Sequence, residues 1–302
     1  MNVQPTQLSF ALWKLTHGRR FVWSRWGDGE IFCMLGKQGK NSNGCTFTPE
    51  LGEALRAVVI RQQPYFWACR IRQNAFVDPS LDVFFKQHNV THPWYDQGVF
   101  ARANRAGKLK PVVDWLRSVR LLYVGPQHLE KIAVKLFGDN TVFVTVPDRD
   151  SWEHRDSIMA SVRQAIANFQ PEAIGLSTGL FAKVLLDWIY PECSAHIIDF
   201  GSIWDIYAGV SSRGTYRKRY HTPEWFWAMN VDGTEPPPMP EWPDIKNDFG
   251  VGGTYMLRNI LFVARIVDKH KLVLAPLRRI GEHENPKFFT FIEQKEGTGN
   301  AE

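Results

Sequence analysis

The sequence predicts an α/β protein, a layered parallel sheet over residues 1–210 followed by a C-terminal extension over 211–302. Three observations predict it. Between residues 120 and 208, strand-like and helix-like patterns alternate through four strands. An earlier strand at 20–24 runs straight into a glycine-bounded turn and a helix start. After Tyr207 the composition changes to a basic run (211–221), a proline-rich stretch (234–243) and a glycine-rich one (249–253). Strands alternating with helices imply parallel pairing through right-handed crossovers, a Rossmann-like arrangement.

In chain order, residues 7–17 suit a short helix. Phe21, Val22 and Trp23 give a compact apolar strand. From Asp28 or Gly29, the spacing of Ile31, Phe32 and Leu35 is helical, and Gly36 and Gly39 end that helix. Thr48-Pro49 reads as an N-cap with proline in the first helical position, and Leu51, Leu55, Val58 and Val59 share the following face. A buried strand is expected at 65–69, and helices at 79–87 and 110–117 with a polar, aromatic loop between them. Strands then follow at 121–124, 141–146, 173–176 and 195–200, separated by helices at 129–137, 151–169 and 179–190. The extension is expected to hold a helix at 255–267 and strands at 271–275 and 288–293.

With 302 residues, 44% apolar and 13% aromatic, the chain can bury a sizeable core. Its 36 basic and 31 acidic residues give a formal charge of +5, which favours polyanionic partners. Cys33, Cys45, Cys69 and Cys193 are widely spaced and form no C-x-x-C pair, so neither a zinc cage nor a disulfide framework is suggested. The first fifteen residues show no basic segment leading into an apolar one. The most apolar late stretch, 256–276, is broken by Arg258, Arg265, Asp268, Lys269 and Lys271. A soluble, cytoplasmic protein is expected. No P-loop, nucleophile elbow or dinucleotide fingerprint is present. His88 and His92 have H-x-x-x-H spacing but precede Pro93 without an H-E-x-x-H, so they read as loop histidines.

In open parallel sheets, ligands bind beyond the carboxyl ends of the strands. That rule singles out Gly125, residues 147–150, 177–179 and 199–202, together with the turn Ser24-Arg25-Trp26-Gly27-Asp28-Gly29-Glu30. In this turn Asp28 and Glu30, one glycine apart, can both approach a hard divalent cation, Mg²⁺ or Mn²⁺, while Arg25 can pair with a phosphate. The same letters also describe an Asx turn with a helix-capping acid. Ser177, Thr178 and Gly179 lie where a helix starts, offering backbone N–H groups to an anion or N-capping that helix. Asp199 can bind a ribose, orient Arg25 or make a structural hydrogen bond. Asp148 and Asp150 can serve as general bases or simply favour a helix N-terminus, and Asp28 competes as a base. Tyr123 and Gly125 can line a nucleotide pocket.

The R-x-G-D-G-E string, placed after an N-terminal strand, resembles the signature of the GT-D type glycosyltransferases. The run 173–185 followed by Ile197-Ile198-Asp199-Phe200-Gly201-Ser202 is similar to that family's late strand, phosphate-side turn, helix and I-D-x-G strand end. Many members carry a histidine after that glycine, where this chain has Ser202. The resemblance spans residues 21–207, in outline only over 46–110. It implies a metal-dependent transferase, hexosyl or pentosyl, in which Asp28 and Glu30 serve a Mn²⁺ or Mg²⁺ ion. It also implies that Arg25, Gly27, Gly29, Gly125, Ser177, Thr178, Gly179, Asp199 and Ser202 surround a nucleotide-sugar, a UDP-sugar by expectation. Arg213, Arg217, Lys218 and Arg219 with Tyr216 and Tyr220, and a second group of Arg102, Arg105, Lys108 and Lys110, suit a nucleic-acid backbone. They equally suit a solvated loop or a clamp on the donor. Some bacteriophage enzymes that resemble this family glycosylate a hydroxymethylated base in DNA, and with the basic charge that resemblance implies 5-hydroxymethylcytosine in double-stranded bacteriophage DNA as the acceptor. The alternatives are a bacterial glycan on a protein or lipid carrier, or a non-catalytic nucleic-acid-binding protein.

Overall fold

The computed structural model describes residues 3–18, 20–41, 44–69, 79–210 and 222–235, and the backbone of 253–257, 260–268 and 271–279. The chain forms two compact units. One spans Met1–Ile71 and Val77–Pro238, the other Arg72–Phe76 and Met239–Glu302.

The first unit runs through β1 (Val3–Gln4), α1 (Leu8–His17), β2 (Val22–Trp26), α2 (Asp28–Met34), α3 (Pro49–Arg61) and β3 (Phe66–Cys69). It continues with α4 (Pro79–Gln87), β4 (Trp94–Asp96), α5 (Val99–Arg105), α6 (Lys110–Ser118), β5 (Leu121–Pro126), α7 (Gln127–Phe137) and β6 (Thr141–Val146). A 3-10 turn (Ser151–His154) leads into α8 (Arg155–Phe169), β7 (Ala173–Leu176), a second turn (Gly179–Phe181), α9 (Ala182–Ile189) and β8 (His196–Asp199). A further turn (Asp205–Ala208) precedes α10 (Pro223–Trp227), which widens into a π-helix over Ala228–Asp232.

The eight strands form one sheet in the order β1-β4-β3-β2-β8-β7-β5-β6, and every pair is parallel. Central parallel strands must be apolar on both faces, and β5 and β7 are buried at every residue. Helices α1, α5, α6 and α7 and the Asp205–Ala208 turn pack into one core with Trp23, Tyr123 and Phe200. Against the other face, α2, α3 and α9 pack on one another and on β2 and β8. The chain leaves β2 and β7 toward α2 and α9, but leaves β8 toward the Asp205–Ala208 turn, which packs on α7. Adjacent strands whose connections diverge leave a crevice at their carboxyl ends.

Several local expectations hold. Thr48 Oγ1 accepts from Leu51 N–H at 3.2 Å, and Leu51, Leu55, Val58 and Val59 are all buried. Strand β2 lies two residues later than the pattern placed it, because Trp26 packs against Trp67 and Trp94. The segment read as a loop between α4 and α6 holds β4 and α5, elements too short to show a period. His92 stacks on Trp67 with ring centres 4.0 Å apart, and burial pushes its pKa down to about 4, so it is a neutral core ring. Among the described residues, no helix is long and apolar enough to cross a membrane. The four cysteines are free.

In the second unit, the helix expected at 255–267 is corrected to two strands. β9 (Gly253–Leu257), β10 (Ile260–Asp268) and β11 (Lys271–Arg279) form an antiparallel sheet in which Val263 pairs with both Thr254 and Ala275. Ile260, Val263, Ile266 and Val267 are β-branched, a composition that suits a pleated ladder better than a helix turn. The strand expected at 271–275 lies within β11. The one expected at 288–293 and the basic run 211–221 lie outside the described residues.

Tyr123 is fully buried between Phe137 and Phe143, at ring-centre distances of 4.7 and 5.7 Å. It sits across from Gly175, where a Cβ would meet its ring at 2.6 Å. The ring has no room to move, so Gly175→Ala is expected to destabilise the unit by about 1–3 kcal/mol. Urea denaturation with an unchanged m-value checks this.

Candidate active site

The cleft at the sheet's carboxyl edge has a volume of about 660 Å³, within the range of small-molecule sites. Every strand tip singled out in the sequence contributes to it except that Gly125 itself is buried beneath Tyr123 and Phe143, leaving Pro126 to form the wall. Arg25, Gly27, Asp28, Gly29 and Glu30 come from the end of β2 and the start of α2, Ser177, Thr178 and Gly179 from the end of β7, and Ser202 from the end of β8.

Beneath this surface lies a buried ionic cluster. Lys183, 1% exposed on α9, places its Nζ 2.5 Å from Glu30 Oε1 and 2.9 Å from Asp199 Oδ2, and donates to Gly179 O at 3.3 Å. Glu30 Oε2 accepts the Gly27 N–H at 2.8 Å, capping α2. Burial alone would raise the Glu30 pKa, but the charge and hydrogen bond of Lys183, with Arg25 nearby, hold it below the usual carboxylate value. Asp199 Oδ1 accepts the Gly201 N–H at 2.9 Å and lies 4.0 Å from Arg25 Nε. Asp199 is 1% exposed and lies beside Arg25, beneath the cleft surface. The Arg25 guanidinium lies over Gly201, whose φ of +58° and lack of a Cβ leave room for it.

Ser177 Oγ donates to Gly201 O at 2.5 Å and is 2.7 Å from the Tyr123 hydroxyl. Burial pushes the Tyr123 pKa well above its ordinary value, so the phenol keeps its proton and donates it to Ser177. The tips of β5, β7 and β8 are thereby fastened together. Three buried polar atoms on the cleft residues have no hydrogen-bond partner, Thr178 Oγ1, Arg25 Nε and Gln97 Oε1. Buried polar groups are ordinarily satisfied; the Thr178 hydroxyl and the Arg25 Nε–H are two donors left without an acceptor, and Gln97 Oε1 an acceptor left without a donor.

The acids of the β6 tip separate. Asp148 lines the cleft. Asp150 takes a left-handed conformation (φ +50°) and accepts Thr46 N–H at 2.8 Å, which anchors the loop carrying Asn41, Gly44 and Cys45. Sequence reasoning missed His128 and Asp205, which also line the cleft. His128 Nε2 is 3.0 Å from Asp205 Oδ1, and Nδ1 is 3.7 Å from Asp148 Oδ1. His128 stands two residues after Pro126, so the strand-tip rule reaches it if extended into the first helical turn. Asp205 carried no such signal. Arg102 pairs with Asp96 and Lys110 with Asp114, and neither lines the cleft. Arg213, Arg217, Lys218 and Arg219 lie outside the described residues.

Among the described residues, no three His, Cys, Asp or Glu side chains gather to hold a metal alone. Mg²⁺ and Mn²⁺ commonly take one or two carboxylates and complete their shell with substrate phosphates and water. Asp28, exposed on the cleft, fits that role. Both Glu30 oxygens already have partners, so a cation bound there must share or displace Lys183.

Removing one partner from a buried ion pair leaves the others uncompensated. Lys183→Met should therefore cost about 3–5 kcal/mol in urea denaturation. In the wild type, the depressed Glu30 pKa contributes stability that is complete above the ordinary value of 4.5 and lost as pH falls through the lower folded value. The mutant should lose that contribution, which acid denaturation of the two proteins measures.

No family model and no curated protein matches the sequence. Solved structures do match the fold. The chain is similar to a new glycosyltransferase of the DUF1792 group from Streptococcus sanguinis, with a TM-score of 0.53 and 20% identity, covering 76% of this chain and 94% of that one. It is similar as well to a structure described as the domain of unknown function 1792 with a distinct glycosyltransferase fold, with a TM-score of 0.52 and 17% identity over 78% and 91% of the two chains. A selenomethionine form of that domain matches equally. The parallel eight-stranded unit, with its cleft at the carboxyl edge, therefore has the glycosyltransferase fold of these proteins.

Proposed function

We propose that the chain is a glycosyltransferase that moves a sugar from a nucleotide-sugar, a UDP-sugar, to an acceptor hydroxyl. The observation that carries the reading is the two unpartnered buried donors, Thr178 Oγ1 and Arg25 Nε, on one cleft of suitable size. The fold shared with glycosyltransferases supports it. In this reading the donor diphosphate lies between Arg25 and the 177–179 turn, where backbone N–H groups at the start of a helix favour an anion. Arg25 stabilises the charge that accumulates on the diphosphate as the sugar leaves. Asp28 would hold a Mn²⁺ or Mg²⁺ ion, which supplies further neutralisation of that charge when bound. Asp199 and Gly201 keep Arg25 in place.

For the acceptor, the proposal is a hydroxymethylated cytosine in DNA. It rests on the charge of +5 and the basic run at 213–219. Because Arg102 and Lys110 are engaged with acids, the second basic group contributes less to a polyanion surface than its sequence implies. A base hydroxyl must be reached in a groove or flipped out of the duplex.

The test combines Mn²⁺, a panel of UDP-sugars, DNA with and without 5-hydroxymethylcytosine, and glycan acceptors. Wild type should consume one donor, and Arg25→Ala should bind that donor at least about tenfold more weakly, the worth of a charge-assisted hydrogen bond. Equal donor binding by both proteins rejects the proposed site. Transfer to glycans alone rejects the DNA acceptor, and DNA binding with no donor turnover selects the non-catalytic alternative.

A further inference from the structure

The cleft contains an imidazole that the donor site leaves unused. His128 stands in the first turn of α7, and its Nε2 meets the carboxylate of Asp205, a residue 6% exposed in the turn after β8. Asp205 accepts from Nε2, which fixes the tautomer with the lone pair on Nδ1. That nitrogen faces Asp148 at 3.7 Å, too far for a hydrogen bond. An imidazole oriented by a buried acid, with its other nitrogen in a cleft beside an exposed acid, is an arrangement that can accept a proton from an attacking hydroxyl.

We propose that His128 is the general base for the acceptor hydroxyl and that Asp205 is its positioning residue; this rests on the glycosyltransferase reading above. The acceptor O–H proton passes to Nδ1 as the oxygen bonds to the anomeric carbon. The bond from that carbon to the diphosphate oxygen breaks, and its electron pair leaves on the nucleoside diphosphate. This single displacement inverts the anomeric centre. Asp150 holds the Thr46 N–H and does not line the cleft. Asp148, exposed at the mouth, acts on Nδ1 through its charge.

Two acids bear on His128, Asp205 from the turn after β8 and Asp148 from the tip of β6, while Glu130 on its own helix accepts from Thr145 Oγ1 at 2.8 Å. The hydrogen bond to Asp205, with the charges of both acids, outweighs burial and raises the His128 pKa above its ordinary 6.5. A base must be neutral, so activity should rise with pH along a limb centred above 6.5.

The experiment measures kcat against pH at saturating donor for wild type, His128→Gln and Asp148→Asn, and the anomeric configuration of the product by NMR. His128→Gln should lower kcat by about 10²–10⁴ with the donor KM within about twofold, and should lose the ascending limb. Asp148→Asn, altered at an exposed position, should keep its fold and shift the limb to lower pH. Unchanged kcat and limb in His128→Gln overturn the assignment while leaving the glycosyltransferase reading intact, as does a product of retained configuration. A wild type that binds and consumes no nucleotide-sugar overturns both.

Discussion

The site depends on one buried cation. Lys183 has left water to sit between Glu30 and Asp199, and a charge so placed is tolerable only because two carboxylates and a carbonyl surround it. The cluster fixes what lies above it. Glu30 closes the first turn of α2 and so sets where Asp28 enters the cleft. Asp199 holds the Gly201 turn and stands beside the Arg25 guanidinium. Arg25 thus lies next to an acid that is itself neutralised from below, which leaves its charge able to attract a further anion.

Much of this architecture was legible in the sequence. The alternation from residue 120 onward gave β5 to β8 within a residue or two, and Thr48-Pro49 marked a helix start because capping is a local effect. The edge strands β1 and β4 were not legible, since two or three residues carry no period and their pairing is decided by distant partners. The reading of residues 255–267 failed because a short apolar run fits either period, and here the cross-strand ladder decides.

The site was legible in part for the same reason. Strand-tip positions follow from topology, so Arg25, Asp28, Ser177, Thr178 and Ser202 could be gathered before any geometry was known. What a side chain does once there depends on partners far along the chain. Glu30 meets Lys183 across 153 positions, and His128 meets Asp205 across 77. No spacing rule reaches that far. Hence Glu30 could be read as a metal acid without its lysine being noticed, and Asp150 without the backbone N–H of Thr46 that its Oδ1 accepts.

The placement of β2 beside β8 has a consequence for biosynthesis. Residues 22 and 23 pair with 197 and 198, so a strand made among the first has no permanent neighbour on that side until nearly 200 residues have been polymerised. At roughly 5–20 residues per second, β2 and the acids behind it wait on the order of ten to thirty seconds after leaving the ribosome. During that interval Trp23 and Trp26 lack part of their final packing, and Glu30 has no lysine. Assembly of the cleft is therefore among the last events in the maturation of this unit, and truncations that end before residue 199 should yield chains that need a chaperone's shelter rather than a partly formed cleft.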